Sequence, residues 1–534
     1  MGALTDRVTE IGPAVGRLLR TRSTVHLAAL LMGSVIALLV VSPLLWLFLR
    51  AGAVDLTRAA ELVFAPRTFE IGGRSIALVV ATTLASVAMG VPLAVLTART
   101  DLPAKRFFTV VIALPLVVPS YIGAFAFVSA FGRHGELTSV VGLELPRIDG
   151  FLGAVLVITL YTYPYVFLTT RAALRSMDAS LVEAARSLDA SPVDAFRRVT
   201  FPQIRPAISA GALLVALYAL SDFGTPAFMG VSVFTSAIYT EYEAFNVGYA
   251  ALLSIQLLTL AGVILYIESK TGQAHGETER HHGTPIPLGR WRYPAMAVVG
   301  LLGAVTVLLP VGLFTLWVLR GTGGAVPSLA FQPQHAVNSV TFALLAALTA
   351  SAMALPVAYL GARGTSRIAR VLERGTYVGF AVPGIVIGLA LVFLGSTTVP
   401  WLYRTVPLLV FAYVVRFLPQ AVGTTRSAIV QFDNQVAEAA RTLNAGPWRT
   451  FRQVILPGIA PGVVAGGTLV FLTTMKELPA TLMLQPIGRD TLVTIVWAAH
   501  ESLYYEYAAL PALILIVVSG LSMAVLLSQE ENGF

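Results

Sequence analysis

The chain has 534 residues, of which 56% are hydrophobic and only 12% carry a charged side chain. A soluble globular chain carries about a quarter charged residues, so this composition excludes an ordinary water-soluble enzyme. The formal net charge of +8 comes from Lys and Arg scattered between apolar segments, which argues against a nucleic-acid-binding surface. The sequence contains no cysteine, which excludes disulfides and thiolate metal sites.

Apolar segments recur along the whole chain, each about as long as the roughly 20 residues that cross a bilayer as a helix. The first follows an arginine-bearing segment and is too long for a signal-peptide core, so we expect it to remain as a membrane anchor. We predict twelve spans, near residues 25–49, 75–98, 107–130, 150–170, 207–230, 247–267, 294–319, 337–362, 375–395, 405–424, 462–484 and 504–528.

Lys and Arg are concentrated in alternate loops between these spans. Residues 171–205 and 426–452 are the most basic segments, whereas residues 231–246 contain neither Lys nor Arg. Because positively charged loops stay in the cytoplasm, both termini are predicted to be cytoplasmic. The expected location is the plasma (inner) membrane of a bacterium or archaeon.

The second half of the chain repeats the first. Four positions recur in the same order and spacing: Ser75 and Ser339, Pro92 and Pro356, Arg99 and Arg363, and Pro119 and Pro383. Both copies start on the same side and contain the same number of spans, which indicates a parallel repeat. We therefore predict an all-α membrane protein with two six-helix halves, residues 1–267 and 294–534, joined by a cytoplasmic linker at 268–293.

The most informative motif lies in the basic loop of each half. Residues 183–206 read EAARSLDASPVDAFRRVTFPQIRP, and residues 438–461 read EAARTLNAGPWRTFRQVILPGIAP. Both segments resemble the EAA loop of ABC importer permeases. The resemblance implies the type I ABC importer transmembrane fold, two copies of a partner ABC ATPase, and an extracytoplasmic solute-binding protein.

The resemblance also assigns residues to the contact with the ATPase. In the first loop these are Glu183, Ala184, Ala185, Asp189, Phe196 and Pro202, and in the second loop Glu438, Ala439, Ala440, Asn444, Trp448, Phe451 and Pro457. Asp189 and Asn444 replace the family's glycine. Asp and Asn accept positive φ more readily than other non-glycine residues, so the turn is expected to survive.

A short helix is predicted after each turn. Ser191-Pro192 and Gly446-Pro447 place a capping residue before a proline, which is a typical helix start. In the family this helix couples the permease to the ATPase. The spacing alone indicates only an amphipathic helix, and a helix lying on lipid headgroups is the alternative.

No catalytic machinery is visible in the sequence. The three lysines are Lys105, Lys270 and Lys476, and none completes a phosphate-binding G-x-x-x-x-G-K-[ST] loop. We therefore predict a permease subunit that is not itself an enzyme and binds no cofactor, with ATP and Mg²⁺ bound by the partner ATPase. The seven histidines form no convincing ligand set, so no metal site is predicted.

Two acidic residues occupy matching positions in the fifth span of each half. Because charged residues inside spans usually face a cavity or a partner, Asp222 and Glu477 are candidates to line a translocation path for a cation, with Arg416 nearby. The alternative is internal pairing, of Glu477 with Lys476 or Arg416, and of Asp222 with backbone or hydroxyl donors.

The cargo is suggested by a second, less specific resemblance. The segment MKELPATLML, with Arg416 upstream in YVVRFLP, is similar to the ferric-iron branch in which two permease units are fused. Fused thiamine, polyamine or phosphonate permeases remain alternatives within the transporter class. A secondary transporter driven by an ion gradient is the alternative from another class, and it predicts inverted rather than parallel repeats.

Overall fold

The computed structural model describes residues 2–132, 135–137, 142, 146–178, 180–271, 285–321, 326–363, 367–443 and 445–532. Within these ranges the secondary structure is helical, and the only extended pairing is an isolated bridge between Thr100 and Ile286. The prediction of an all-α fold is therefore confirmed.

The described residues of the first half form twelve α-helices. They are α1 (Gly2–Gly52), α2 (Leu56–Val63), α3 (Pro66–Arg99), α4 (Lys105–Ala113), α5 (Ser120–Phe131), α6 (Gly150–Ser176), α7 (Ser180–Ser187), α8 (Pro192–Ala195), α9 (Phe201–Ser221), α10 (Gly224–Phe228), α11 (Phe234–Glu243) and α12 (Val247–Thr271).

The described residues of the second half follow the same order. Its helices are α13 (Arg292–Gly303), α14 (Leu309–Arg320), α15 (Pro333–Arg363), α16 (Arg367–Thr376), α17 (Val378–Ala381), α18 (Gly384–Phe393), α19 (Val406–Gln431), α20 (Asn434–Thr442), α21 (Pro447–Thr450), α22 (Leu456–Met475), α23 (Pro479–Leu484), α24 (Leu492–Glu501) and α25 (Ala509–Asn532). Among the described residues, three π-helical segments connect helices end to end, at Phe196–Thr200, Ala304–Leu308 and Phe451–Ile455, and a fourth, Leu394–Thr398, extends α18.

Nine helices in the described ranges are long and apolar enough to cross a membrane, or ten when one bent pair counts as a span. Three shorter apolar helices lie at Gly384–Thr398, Leu492–Glu501 and Tyr505–Leu521. Each of the twelve predicted apolar segments contains helix, and the chain is a multi-pass membrane protein. The number of complete crossings is lower than twelve by this criterion because several segments are broken.

The third predicted span of each half is not one continuous helix. In the first half, Lys105–Val117 and Ser120–Phe131 meet at 88°. In the second half, the chain breaks at the equivalent place, between α17 and α18. Pro119 and Pro383 occupy the two breaks, and proline removes the N–H that would continue the helix.

The fifth predicted spans also end earlier than expected. The segments 207–230 and 462–484 were predicted as single spans, but α9 ends at Ser221 and α22 at Met475. A short helix follows each break, α10 in the first half and α23 in the second. The two candidate carboxylates, Asp222 and Glu477, therefore lie at helix breaks rather than inside continuous helices.

The first helix of each half packs against the other half. Along α1, a Cβ placed on Gly33 would approach Leu360 Cδ1 to 2.6 Å, and Trp46 Nε1 donates a hydrogen bond of 2.6 Å to Thr398 Oγ1. In the reciprocal contact, the Tyr161 hydroxyl donates to the Thr306 carbonyl at 2.9 Å. The two halves are therefore interlocked rather than joined only by the linker.

Contacts between the halves place both motif loops at one end of the bundle. The Tyr242 and Tyr403 hydroxyls lie 3.3 Å apart. Tyr242 follows the end of α9 that is remote from the first loop, and Tyr403 precedes the end of α19 that is remote from the second loop. Because these remote ends meet, residues 180–206 and 434–461 lie together at the opposite end, which we call the loop end; the other is the far end.

Equivalent hydrogen bonds confirm the internal repeat. Ser75 Oγ accepts from the Phe234 backbone N–H at 2.9 Å, and its repeat partner Ser339 accepts from the Leu492 N–H at 2.9 Å. Each bond attaches the long helix α3 or α15 to the start of the second helix after the fifth-span break, which is α11 in the first half and α24 in the second. A serine therefore makes the same side-chain-to-backbone hydrogen bond in both halves.

Candidate coupling loops and membrane seam

The two motif loops present their acidic residues and alanines in the same way. In α7, Glu183 and Ala184 are exposed and Ala185 is half-buried. In α20, Glu438 and Ala439 are exposed and Ala440 is half-buried. The two helices therefore offer a matched surface at the loop end.

The turn predicted after α7, the first helix of the first motif loop, is confirmed. Asp189 has a φ of +60°, the left-handed conformation that the replaced glycine would adopt. The Ala190 N–H bonds the Ala185 carbonyl at 3.2 Å, and the equivalent Ala445 N–H bonds the Ala440 carbonyl at 3.2 Å. Asn444 lies outside the described residues.

The helix predicted from Pro192 begins there but does not end before the membrane. Ser191 Oγ accepts the Asp194 N–H at 3.1 Å and so caps the start. The helix then continues through the π-helical segment Phe196–Thr200 directly into α9. The predicted short helices are therefore present at Pro192–Ala195 and Pro447–Thr450, and each continues through a π-helical segment into a membrane helix.

The tail proline of the motif explains the π-helical segments. Pro202 and Pro457 each lie two residues after such a segment ends. A proline inside an α-helix clashes with the carbonyl four residues earlier, and a π-bulge widens the helix locally. Each loop is thereby continuous with a membrane helix, which suits it to transmit motion.

Both loops expose apolar side chains at equivalent positions. Leu188 and Leu443 are 83% and 84% exposed at the turn. Val193 and its repeat partner Trp448 are also exposed, and the Trp448 ring stacks on half-buried Phe451 at 5.8 Å. The leucines were missed at the sequence level, although their identity in both copies was an available signal.

Asp222 closes the break between α9 and α10. Its carboxylate accepts the Thr225 N–H at 3.2 Å and the Ser120 hydroxyl at 2.9 Å. The Tyr218 hydroxyl in turn donates to Ser120 at 2.9 Å. The alternative of pairing with backbone and hydroxyl donors is therefore what the structure contains, and Ser120 and Tyr218 are partners that sequence reasoning did not identify.

Glu477 performs the same capping at the break between α22 and α23. Its carboxylate accepts the Ala480 N–H at 3.3 Å, which matches the Thr225 bond of the first half. Arg416 Nε lies 3.3 Å from the other carboxylate oxygen. Internal pairing with Arg416, rather than with Lys476, is therefore present, and half-buried Lys476 lies at the end of α22.

Gly384 makes room for this ion pair. It occupies the position equivalent to Ser120, directly after the helix-breaking proline. A Cβ at Gly384 would overlap both the Arg416 guanidinium and the Glu477 carboxylate. In the first half the Ser120 hydroxyl binds the Asp222 carboxylate. In the second half Arg416 binds the Glu477 carboxylate, and Gly384 has no side chain that would overlap this pair.

The two capped breaks meet where the halves touch, and we call this contact the seam. A Cβ at Gly224 would lie 3.3 Å from Leu478 Cδ2 of the other half. Aromatic rings continue the contact towards the far end, with centroid separations of 5.2 Å for Phe223 and Trp497 and 4.4 Å for Phe228 and His500. The seam is therefore tightly closed by aromatic side chains beyond the carboxylates.

Comparison with known proteins decides the family. Residues 90–268 and 354–529 each match the family described as the binding-protein-dependent transport system inner membrane component. The chain belongs to this family. The resemblance to ABC importer permeases that the repeated motif indicated is confirmed, and both matched segments of the permease contain one motif loop.

Individual relatives of this permease include transporters of several solutes. An Fe(3+)-transport system permease protein of Haemophilus influenzae is 33% identical over 497 residues, covering 91% of this chain and 94% of the relative. A ferric transport system permease protein of Actinobacillus pleuropneumoniae is 26% identical, covering 76% of this chain and 63% of its own. A putative 2-aminoethylphosphonate permease of Salmonella choleraesuis is 30% identical, covering 44% of this chain and 91% of its own.

The geometry of the seam predicts how one substitution acts on this permease. Gly384→Ser introduces the side chain of the first half, but its Cβ displaces the Arg416–Glu477 pair and is expected to cost about 1–3 kcal/mol. Gly384→Ser with Arg416→Tyr recreates the first-half combination, because Tyr161 is the repeat partner of Arg416, and it should recover part of the loss. Thermal unfolding in detergent measures both variants.

The matched control for that comparison is Ser120→Gly, which removes a side chain at the equivalent position without creating an overlap. It should lower the unfolding temperature less than Gly384→Ser does. An unchanged unfolding temperature for Gly384→Ser would contradict the packing described around the ion pair.

Proposed function

We propose that the chain is the permease subunit of an ATP-driven ABC importer that passes ferric iron delivered by an extracytoplasmic binding protein. The proposal is supported by the family and by the ferric transport named in its relatives, one of which aligns along 91% of the chain. In this proposal, residues 1–267 and 294–534 form the two permease halves, and residues 268–293 form the linker between them.

The observation that carries the proposal is the pair of matched loops at one end of the bundle. Two equivalent surfaces suit two copies of one partner, and each contains an exposed glutamate beside exposed apolar residues. We assign these surfaces to two copies of an ABC ATPase, which supplies the bound ATP and Mg²⁺. The assignment places the loop end and both termini in the cytoplasm.

The coupling residues act in three ways in this proposal. Glu183 and Glu438, with the neighbouring alanines, face the ATPase. Asp189 and Asn444 hold the turn, and Phe196, Trp448 and Phe451 fill the apolar part of the contact. Pro202 and Pro457 fix the π-helical joints through which loop motion enters the membrane helices.

Transport then follows from moving two rigid helices. Helical structure runs from Pro192 to Ser221 without interruption, so a displacement of the first loop reaches Asp222 at the seam. The second loop reaches Glu477 along the equivalent path. Closure of the ATPase pair draws the loops together and opens the aromatic far end of the seam, which is alternating access between two discrete states.

The cargo passes the seam without a dedicated metal cage. Among the described residues, no group of three His, Cys, Asp or Glu side chains is close enough to hold a metal ion. Asp222 and Glu477 are hard oxygen donors, the ligand type suited to hard cations, but both also hold helix breaks together. We therefore assign selectivity for ferric iron mainly to the external binding protein, with Asp222, Glu477 and Arg416 lining the route.

An anionic cargo such as a phosphonate is the second candidate. Arg416 Nη1 is buried and has no hydrogen-bond partner, and an unsatisfied guanidinium nitrogen is a good donor to phosphonate oxygens. The phosphonate relative supports this alternative, although it covers 44% of this chain compared with 91% for the ferric relative.

Uptake by reconstituted vesicles tests the cargo. We expect vesicles that contain the permease, its ATPase and its binding protein to accumulate radiolabelled ferric iron only when ATP is present. An excess of 2-aminoethylphosphonate or thiamine should not compete. ATP-dependent uptake of phosphonate or thiamine with no iron uptake would overturn the assignment of iron, and uptake without ATP would overturn the whole proposal.

The role of the loops has its own test. Glu183→Ala with Glu438→Ala should leave the fold intact, because both side chains are exposed at the loop end. Transport should fall by about tenfold or more, which is a typical coupling effect, while ATP hydrolysis by the assembled complex becomes independent of the binding protein.

The matched control replaces two exposed acidic residues near the far end, Glu61→Ala with Glu70→Ala. This variant carries the same change in charge and should transport at the normal rate. Normal transport by the Glu183 and Glu438 variant would contradict the docking role of the loops.

A further inference from the structure

Helix α16 has three distinct faces. Ala369 and Leu372 are packed inward with Ala29 and Leu30 of α1 and with Leu360 of α15. Ile368 and Val371 are 64% and 67% exposed on one flank. Arg367, Arg370 and Arg374 are all exposed on the side that faces away from the packed one, where Val371 lies beside Arg367 and Arg374 at helical spacing.

The contacts of α16 place it at the boundary of the hydrocarbon layer. The first apolar segment begins near residue 25, after Arg20 and Arg22 in the sequence, so Ala29 and Leu30 lie within about two turns of its start. Leu360 belongs to the last turn of the span that ends at Arg363. A helix packed against both lies level with the lipid headgroups at the loop end.

A helix with one apolar side and arginines on its outward side is typical of the membrane interface. The apolar flank enters the acyl chains while the guanidinium groups remain among the headgroups. Guanidinium also matches phosphate geometry through paired hydrogen bonds. We propose that α16 is a binding site for the phosphate headgroup of anionic phospholipids in the leaflet at the loop end.

The repeat shows that this charge pattern is specific to one half. The positions equivalent to Arg367, Arg370 and Arg374 in the first half are Pro103, Arg106 and Val110. Only one of the three arginines therefore has a basic counterpart on α4. The two extra arginines on α16 are therefore not part of the pattern that the two halves share.

An ion pair connects the site to the second motif loop. Glu373 of α16 lies 3.2 Å from Arg426 Nε, in the last turns of α19. That helix leads directly into α20, which carries Glu438. Threonine occupies the position equivalent to Glu373 in the first half, at Thr109. A lipid held on α16 therefore steadies the second loop but has no equivalent route to the first.

Binding to the detergent-purified full-length chain tests the site. Dioctanoyl-phosphatidylglycerol is titrated and followed by native mass spectrometry, with dioctanoyl-phosphatidylcholine as the neutral comparison. Arg370→Gln with Arg374→Gln should weaken phosphatidylglycerol binding by about 30-fold, given the usual contribution of each basic residue near an anionic surface. Lys105→Gln with Arg106→Gln, the matched control on α4, should leave the affinity within about twofold of the original.

Three outcomes would overturn the proposal. Equal loss of affinity in both double variants would show a general charge effect. Competition by millimolar inorganic phosphate as strong as by the lipid would show a free-anion site. Loss of the ATPase from the purified complex of the Arg370 and Arg374 variant, with lipid affinity unchanged, would show a protein contact instead.

Hydrogen exchange tests the connection to the loop. Phosphatidylglycerol should slow exchange of the α20 amides in the original chain. Glu373→Gln should bind the lipid with unchanged affinity but lose this protection, because the pair with Arg426 is broken. Protection that persists in Glu373→Gln would overturn the proposed connection, and this readout does not depend on the cargo.

Discussion

The structure depends on one constraint: a helix that breaks inside a bilayer must satisfy its freed backbone groups without water. Each half breaks its third and fifth predicted spans near the seam, and each uses the same two residue types there. A proline, Pro119 or Pro383, removes a donor that would otherwise be unsatisfied. A carboxylate, Asp222 or Glu477, accepts a backbone N–H at the start of the short helix beyond the break. Asp222 and Glu477, the candidate residues for the cargo route, therefore also stabilise the helix breaks by accepting these backbone N–H groups.

The halves satisfy this constraint with different chemistry, and the difference divides their roles. Asp222 is held by neutral hydroxyls through Ser120 and Tyr218, bonds that can be exchanged as the helices shift. Glu477 is buried and pairs with half-buried Arg416, and breaking this pair is costly because it leaves the buried carboxylate without a compensating charge. We infer that the second half is the stiffer side of the seam. Its additional link from α16 to α19, through Glu373 and Arg426, agrees with that assignment.

Much of this organisation could be predicted from the sequence, because apolar length, repeated prolines and a doubled motif are local signals. The turn at Asp189 and the helix starts at Pro192 and Pro447 were predictable for the same reason. The breaks at Pro119 and after Ser221 were not, because membrane helices tolerate proline elsewhere, as at Pro92 within α3. Nor could the ion pair be assigned, since Lys476 is adjacent to Glu477 in sequence and only packing around Gly384 selects Arg416. The packing of the first helix of each half against the other half was also not predictable, because it depends on contacts between residues that are distant in sequence.

In this account the two motif loops are equivalent docking sites, and a partner ATPase moves them relative to each other when it binds nucleotide. The chain has no cysteine, so Leu188→Cys with Leu443→Cys provides two unique positions for spin labels at exposed, equivalent turns. The distance between the labels should be measured by pulsed electron spin resonance in the complex with the ATPase, with and without a non-hydrolysable ATP analogue. The account predicts a shorter distance with nucleotide. An identical distance distribution in both conditions would contradict it.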